Sequence, residues 1–172
     1  HPKLGIVAGS MASFGGMRGA ELTVSGDGPL LERFRFAAER EGLGGVRFTG
    51  RYEPDETMRI VRAHDVGMLP FSPVTGNIVY SSPNKLFDYM MGGLAVVSTD
   101  LPFIRSVVEG ERAGMLLSDN TPESIGAAIR SLATDSAKLA FFRRNARAAA
   151  LAKYSWEAQF GTNYPWPGET GR

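Results

Sequence analysis

Residues 81–98 read SSPNKLFDYMMGGLAVVS, a segment that predicts a helix followed directly by a buried strand. Proline is tolerated in the first turn of a helix, so Pro83 marks the predicted start. The apolar side chains recur at helical spacing and form one stripe, made of Leu86, Phe87, Met90 and Met91. The strand over residues 94–98 is apolar nearly throughout, which is typical of a strand covered by helices on both faces of a sheet. These features together predict a parallel β-α-β unit.

The alternation of apolar strands and amphipathic helices continues on both sides of this segment. Five more strands are predicted, at residues 4–8, 21–25, 46–49, 66–70 and 114–117. Further helix starts are marked by Pro29, Pro54 and Pro122. We predict an α/β fold, a doubly wound, Rossmann-like parallel sheet with helices on both faces, over residues 1–160. Ligands bind such sheets beyond the carboxyl ends of the strands, so the loops after the strands are the expected site.

Two segments depart from this pattern. Between the first two strands lie about a dozen residues, 9–20, which is near the minimum for a parallel crossover and too short for a covering helix. Either that helix is truncated, or a segment has been lost between Gly9 and Ala20. Residues 161–172 are rich in proline and glycine and have no periodicity, so an irregular C-terminal tail is predicted.

Composition excludes several classes of function. The chain has 172 residues, of which 43% are hydrophobic and 22% charged, as expected of a globular chain of about one domain. It contains no cysteine and two histidines, so a thiol nucleophile, a cysteine-rich zinc site and a disulfide framework are excluded. Lysine and arginine number 19 against 18 aspartate and glutamate, which argues against a nucleic-acid partner. We expect no metal.

Location is predicted from hydropathy and charge. No apolar run approaches the roughly 20 residues of a membrane-spanning helix, so a cytoplasmic protein is expected. The last long helix, predicted from Lys138 to about Lys153, carries five cations and no acid. A solvated basic face is the favoured interpretation, and peripheral contact with the inner face of an anionic membrane is the alternative. His64 is predicted to cap a helix end.

The start of the helix at Pro83 is the most informative candidate site. Asn84, Lys85 and Asp88 lie on its polar face, and the free N–H groups of its first turn favour an anion such as phosphate. Lys85 would add a charge, and Asp88 would accept hydrogen bonds from a vicinal diol such as ribose. The same spacing also fits a surface ion pair between Lys85 and Asp88 with Ser82 as an ordinary cap, and spacing alone leaves both interpretations open.

The stretch from Asp65 to Asp100 resembles the donor-binding half of the GT-B glycosyltransferases, specifically retaining family four. The resemblance rests on DVGMLPF followed by SPNKLFDYMMGGLAVVSTD. It extends outward to LTVSGDGP, VRFTG, GMLL with TPESI, NAR and YSW, in the family's order. About 140 of the 172 residues are covered. The resemblance implies the C-terminal, nucleotide-sugar-binding domain of such an enzyme, with the acceptor domain missing from this chain.

The resemblance also implies roles for individual residues. Asp88 takes the position of the family's ribose-binding acid, one methylene shorter, while the family's earlier acid falls at Tyr80. Gly50 and Arg51 fall where the backbone meets the nucleotide base, and the amides of the helix start fall at the distal phosphate. Gly28 belongs to the glycine loop after the second strand. The usual diphosphate clamp is altered, because Ser10 follows Gly9 and the next cation is Arg18.

The function predicted on these grounds is donor binding in a glycosyltransferase that transfers a sugar from a UDP- or GDP-linked donor to a glycan or glycolipid. The isolated domain is predicted to be inactive, its catalytic residues are not assigned, and the nucleotide sugar is a substrate rather than a cofactor. Alternatives are a non-catalytic nucleotide-binding or assembly module and a nucleotide-sugar 2-epimerase. A nicotinamide or flavin fingerprint fails, because its third glycine would fall at Leu31.

Overall fold

The computed structural model describes residues 4–8, 20–71 and 82–160. The strands are β1 (Leu4–Ala8), β2 (Ala20–Ser25), β3 (Val46–Gly50), β4 (Val66–Leu69), β5 (Ala95–Thr99) and β6 (Gly114–Leu117). The helices are α1 (Leu31–Arg40), α2 (Thr57–Arg62), α3 (Asn84–Gly92), α4 (Pro102–Gly110), α5 (Pro122–Thr134), α6 (Ser136–Ala149) and α7 (Trp156–Phe160). A 3₁₀ turn, Pro54–Glu56, precedes α2, and a π-helical turn, Ala150–Tyr154, continues α6.

The six strands form one parallel sheet in the order β3-β2-β1-β4-β5-β6. The chain moves outward from β1 to β3, then returns to the other side of β1 and moves outward from β4 to β6. The strand order therefore reverses between β1 and β4, which is the point where ligands bind in sheets of this kind. The predicted doubly wound α/β fold is confirmed, and the predicted strands agree with the observed ones to within a residue at each end.

The core consists of two apolar layers, one on each face of the sheet. Alternation along β5 separates them, because Val96 points into one layer while Ala95 and Val97 point into the other. The first layer is built from α2, α3, α4 and α6, and its fully buried members include Leu86, Met90 and Ile104. The second is built from α5 against β2, β4 and β5, and includes Met68, Ile125 and Ile129. Helices on both faces explain why β4 and β5 are buried along their whole length.

The prolines mark the helix starts with small corrections. Pro122 is the first residue of α5, and Pro54 opens the 3₁₀ turn before α2. Pro83 lies one residue before α3 in extended conformation, and α1 begins two residues after Pro29. Pro102, which the sequence analysis did not use, begins α4. The last long helix begins at Ser136, not Lys138, because the Asp135 side chain accepts a hydrogen bond from the Lys138 amide and caps it.

Helix α3 ends in a glycine cap. Gly93 has a φ of 77°, a left-handed conformation that glycine adopts without strain. Its N–H donates to the carbonyl of Met90, and the N–H of Leu94 donates to the carbonyl of Tyr89, each at 3.0 Å. This glycine cap ends α3 and lets the chain enter β5 two residues later.

The predicted short crossover, residues 9–20, lies outside the described residues except for Ala20, and the predicted tail, residues 161–172, lies outside them entirely. In the part of the chain that the structure describes, no helix is both long enough and apolar enough to cross a membrane.

Candidate functional site

Helix α3 follows β4 in the chain, so its first turn lies at the carboxyl edge of the sheet. Strand β4 is one of the two strands between which the strand order reverses. Asn84 and Lys85 are exposed there, and their N–H groups have no acceptor among the described residues. No side chain caps the helix, since the preceding residue is Pro83. Ser82 is exposed and makes no capping hydrogen bond, so the alternative in which it serves as an ordinary cap is not supported, and Ser82 stays a candidate donor-binding residue. The helix start thus keeps free donors at the positive end of its dipole.

Asp88 lies one turn deeper into α3 and is half-buried. Burial raises the pKa of its carboxyl group above the usual value, and the nearby Lys85 ammonium opposes part of that rise. The two side chains are not within ion-pair distance, because the described ion pairs do not include them. The interpretation of Lys85 and Asp88 as a simple surface ion pair is therefore not supported. A partly desolvated carboxylate that has no ion pair is stabilised by hydrogen bonds from hydroxyl groups.

Tyr89 is buried, although the sequence analysis left it out of the apolar stripe of α3. Space for its ring exists because β4 has a glycine at position 67, where a Cβ would come within 2.3 Å of the ring. Burial raises the pKa of the Tyr89 phenol, with smaller contributions from Tyr52 and Asp88. These couplings bring Tyr52, which follows β3, into the neighbourhood of α3. Sequence spacing could not reveal this, because 36 residues separate Tyr52 from Asp88.

The loops that follow β2 and β3 are joined to each other. The N–H of Gly26 donates to the carbonyl of Gly50 at 3.1 Å, and the two residues form an isolated bridge. Both have positive φ angles, 131° and 69°, which favour glycine. Gly28 and Arg51 are exposed beside this bridge. The structure thus brings the predicted residues Gly28, Gly50 and Arg51 together at the carboxyl edge of the sheet.

Three buried oxygen atoms at the same edge have no hydrogen-bond partner. They are the hydroxyl of Ser25 at the end of β2, the hydroxyl of Thr99 at the end of β5, and Oδ1 of Asn120 after β6. The Asn120 amide reaches back to donate to the carbonyl of Pro70 at 3.3 Å. Buried oxygens without partners are uncommon and retain the capacity to bind water or a polar ligand. Sequence analysis missed all three, since serine, threonine and asparagine at strand ends carry no distinctive motif.

Asp100, directly after β5, differs from these oxygen atoms because its carboxylate already has a partner. Nε of Arg105 donates to its carboxylate at 2.7 Å, and this hydrogen bond holds the pKa of Asp100 below its usual value. The pair connects β5 to α4, and a ligand would have to compete with Arg105 for this carboxylate.

Comparisons with known proteins identify the family. The model of the glycosyl transferases group 1 family matches residues 12–135, which is most of the chain. This chain is a member of the glycosyl transferases group 1 family.

The individual relatives agree on the fold. An uncharacterised glycosyltransferase of Methanocaldococcus jannaschii is 29% identical over 136 residues, covering 79% of this chain and 33% of that protein. HepE of Anabaena, solved in complex with UDP and glucose, is similar with a TM-score of 0.68 and 17% identity, covering 90% of this chain and 45% of HepE. The C-terminal domain of LpcC of Francisella tularensis is similar with a TM-score of 0.70 and 16% identity, covering 89% and 87%. The chain therefore spans less than half of the longer relatives and nearly all of an isolated C-terminal domain.

Several predicted positions of this glycosyl transferases group 1 domain lie outside the described residues. They are Tyr80, at the position of the family's first acid, and Gly9, Ser10 and Arg18, in the altered clamp. Among the predicted site residues, α3 brings together Asn84, Lys85 and Asp88, and the bridge between the two loops brings together Gly28, Gly50 and Arg51. Among the described residues, the link between the two regions is electrostatic, since Tyr52, next to Arg51, and Asp88 both act on the Tyr89 phenol.

Four of the five cations on the predicted basic face of the last long helix have partners, and all five remain half-buried or exposed. Arg143 pairs with Asp65 and donates to the Gly93 carbonyl, and Arg147 donates to the Met91 carbonyl. Lys138 donates to Ser131 at 2.9 Å, and Lys153 pairs with Glu111 at 2.8 Å. These cations brace the helix against other elements of the glycosyl transferases group 1 domain.

His64 lies just after α2. Its Nδ1 lies 2.7 Å from the carbonyl of Ile60, and its Nε2 lies 2.8 Å from the hydroxyl of Thr23. The predicted contact with a helix end is confirmed, and the second contact connects α2 to β2.

Proposed function

We propose that this chain is the donor-binding domain of a retaining glycosyltransferase, which transfers a sugar from a UDP- or GDP-linked donor to a glycan or glycolipid acceptor. The observation that carries the proposal is the pairing on α3 of an uncapped first turn with the half-buried Asp88 one turn later. Free N–H groups suit a phosphate and a desolvated carboxylate suits a pair of vicinal hydroxyls. A nucleoside diphosphate carries both groups.

The layout of the sheet suits the length of such a ligand. Three strand positions separate β3 from β4, or about 14 Å at the usual strand spacing. A nucleotide with its phosphates at the start of α3 and its ribose at Asp88 would direct its base toward the loop at Gly50, Arg51 and Tyr52. Tyr52 adds an aromatic side chain near enough to Tyr89 to influence the pKa of its phenol.

The chemical contribution of this domain would be electrostatic. Bond cleavage at the anomeric carbon leaves negative charge on the departing diphosphate. The amides of Asn84 and Lys85, together with the Lys85 ammonium, would stabilise that charge without needing to reorient, and this is where a large part of catalysis in such reactions arises. We propose that no metal and no separate cofactor takes part.

The solved relatives support the choice of ligand. HepE of Anabaena has been solved with UDP and glucose and with UDP-glucose, and its fold matches this chain with TM-scores of 0.68. The share of HepE that this chain covers is 45%, so an acceptor domain is proposed as the missing partner. The absence of cysteine supports a cytoplasmic location within the same proposal.

Calorimetric titration of the chain with UDP, GDP and ADP tests donor binding. One nucleotide should bind, and Asp88→Asn should weaken it at least about tenfold, because a charge-assisted hydrogen bond contributes roughly 1.5–3 kcal/mol. Lys85→Ala should weaken the binding of a nucleoside diphosphate more than the binding of the corresponding nucleoside. Glu109→Gln is the matched control, since it removes an exposed acid near the end of α4.

Binding that Asp88→Asn leaves intact, or no binding of any nucleotide at millimolar concentration, would overturn the assignment. The second result would make the non-catalytic module the better description of this chain.

The proposal includes inactivity of the isolated domain. A chain that binds UDP should release no sugar from UDP-glucose over hours, because groups around the anomeric carbon would come from the acceptor domain. Sugar release that depends on Asp88 would contradict this part of the proposal while leaving donor binding intact.

A further inference from the structure

A groove lined by four arginines lies at the end of α3 opposite its first turn. Its volume is about 530 Å³, within the range of small-molecule sites. The cations are Arg62 at the end of α2 and Arg143, Arg144 and Arg147 on α6. None of its lining residues is acidic. Because α2 and α3 lead into β4 and β5, the groove lies at the amino edge of the sheet, away from the proposed donor site.

Two of the four arginines already have partners. Arg143 pairs with Asp65, and its Nε donates to the carbonyl of Gly93 at 2.9 Å. Arg147 donates to the carbonyl of Met91. Both guanidinium groups therefore stabilise the carboxyl-terminal end of α3, where helix carbonyls lack partners within the helix. This structural role accounts for Arg143 and Arg147 and does not account for the other two.

Arg62 and Arg144 are exposed, and neither has a hydrogen bond or ion pair with any residue that the structure describes. They come from different elements, α2 and α6, yet they line one concavity. With a single carboxylate, Asp65, paired among the four cations, the groove retains a strong positive field. An anion bound in the groove would reduce the repulsion between these like charges.

The remaining lining is apolar. It includes Met91, Ala148 and Leu151, of which Leu151 is 52% exposed. Guanidinium groups bind phosphate through two parallel hydrogen bonds, a geometry that lysine cannot offer. A site lined by two unpartnered guanidinium groups and by apolar side chains suits a phosphate group attached to a less polar body.

We propose that this groove is a second anion site, which binds a phosphate group through Arg62 and Arg144. It is independent of the donor site, because α3 has nine residues and its two ends are about 13 Å apart. A bound phosphate would bridge α2 and α6 and so hold together two helices that pack on α3. The phosphate could belong to a soluble compound or to a lipid headgroup, and the recognition chemistry is the same for both.

Titration with inorganic phosphate, at constant ionic strength, tests the site by nuclear magnetic resonance. The reporters are the side-chain Nε–H signals of Arg62 and Arg144 and the backbone amides of Gly92 and Gly93. These signals should shift and saturate, and Arg62→Ala with Arg144→Ala should weaken the affinity at least about tenfold. Both arginines are exposed, so the spectrum of the double variant should remain that of a folded chain.

Two controls separate the groove from other cationic sites. Arg33→Ala removes an exposed, unpaired arginine of α1 and should leave the titration unchanged. Lys85→Ala weakens the proposed donor site and should also leave the groove signals unchanged. Failure of nucleotide binding would therefore not affect this test, and failure of this test would not affect the donor site.

Vesicle sedimentation separates the two sources of phosphate. Vesicles of phosphatidylcholine with phosphatidic acid are compared with vesicles of phosphatidylcholine alone. Sedimentation that requires phosphatidic acid and both arginines would support a lipid headgroup, and saturation by inorganic phosphate without sedimentation would support a soluble phosphate compound. Groove signals that do not saturate and no arginine-dependent sedimentation would overturn the proposal, as would saturation that the double variant leaves unchanged.

Discussion

The β3 edge of the sheet is covered less fully than the strand pair β4–β5, although β2 beside it is buried over its last four residues. On the β4–β6 side, β4 and β5 are buried along their whole length, and the helices around them supply most of the fully buried side chains. On the β2–β3 side, residues of β3 alternate between exposed and half-buried, and Ala38 is the only buried residue of α1. Leu30 and Phe36 are 50% and 65% exposed there.

This difference in burial predicts that one part of the proposed site is rigid and the other is adjustable. The free amides of α3 and Asp88 belong to the well-packed half, where neighbouring helices restrict their movement. Gly50 and Arg51 belong to the thinly covered half, where the chain can adjust to a nucleotide base with little loss of packing. The halves should therefore respond differently to the same kind of substitution.

The largest difference is expected for glycine substitutions. In Gly114→Ala on β6, the new Cβ would lie 1.8 Å from the backbone oxygen of Val96, so adjacent strands would have to separate. We expect the free energy of unfolding to fall by more than about 4 kcal/mol, measured by urea denaturation. Gly44→Ala, before β3, meets nothing within 4 Å and should change it by less than about 0.5 kcal/mol. Equal losses in the two variants would disprove the proposed contrast in packing.

Truncation of large apolar side chains should give the next largest difference. Met90 on α3 is fully buried, so Met90→Ala should leave a cavity and reduce the free energy of unfolding by about 3 kcal/mol. Phe36→Ala on α1 removes a larger side chain that is mostly exposed and should cost less than about 0.5 kcal/mol. A loss at Phe36 that matches the loss at Met90 would mean that α1 is covered more fully than the structure shows.

Asp88 allows a smaller test inside the well-packed half. Burial raises its pKa above 3.8 in the folded chain, so between the unfolded and folded values the native state binds more protons and stability falls as pH rises. Asp88→Asn removes this penalty. It should raise the free energy of unfolding at pH 7 by less than about 1 kcal/mol. This increase should become smaller as the pH falls through the folded and then the unfolded pKa of Asp88.

Urea denaturation of both proteins between pH 3 and pH 7 measures this effect, with Glu109→Gln as the control acid. Stability gained together with donor affinity lost would identify Asp88 as a residue kept for binding rather than for folding. A loss of stability at pH 7 would instead assign it a structural partner.

The smallest effect is expected for the ion pair that joins the π-helical turn to the end of α4. The hydrogen bond from Lys153 is the main reason that the pKa of Glu111 is lowered, and Tyr154 adds a second one. Since the folded pKa is below the unfolded value of 4.5, the stabilisation is present above that pH and is lost as pH falls through the folded pKa. Lys153→Ala should cost less than about 1 kcal/mol at pH 7 and nothing in strong acid.

Thermal unfolding at pH 7 and pH 3 distinguishes the loss of the ion pair between Lys153 and Glu111 from a general effect of removing one positive charge. Arg33→Ala on the thinly covered half removes one unpaired cation and should change stability at neither pH. A loss for Lys153→Ala that is equal at both values would mean that Glu111 is not its partner in stability.

Most of the fold could be predicted because the relevant signals are local. Strand bounds follow from apolar runs such as residues 94–98, and helix starts follow from proline, whose missing N–H is tolerated only in the first turn. The errors are also local in origin. The alternative in which Ser82 caps α3 fails because the adjacent Pro83 takes the capping position in extended conformation.

The site could be predicted only in part. The members on α3 were found because helical spacing places Asn84, Lys85 and Asp88 on one face. The nearness of Tyr52 to α3 and the unpartnered oxygen of Ser25 were missed, because both depend on which strands and helices lie beside them. The partners of the basic helix were missed for the same reason, since Arg143 pairs with Asp65 across 78 residues of sequence.

Alternating apolar runs and proline positions were thus enough to predict a doubly wound α/β domain and to locate a candidate phosphate site at a helix start. Only the folded chain decided which polar groups are satisfied. It gives partners to Arg143 and Arg147. Among the residues that the structure describes, it leaves Arg62 and Arg144 without partners and the half-buried Asp88 without an ion pair. The physical reason is that secondary structure depends on neighbours within a few residues. Desolvation and ion pairing depend instead on distances between elements, and those distances exist only once the sheet and its helices have packed.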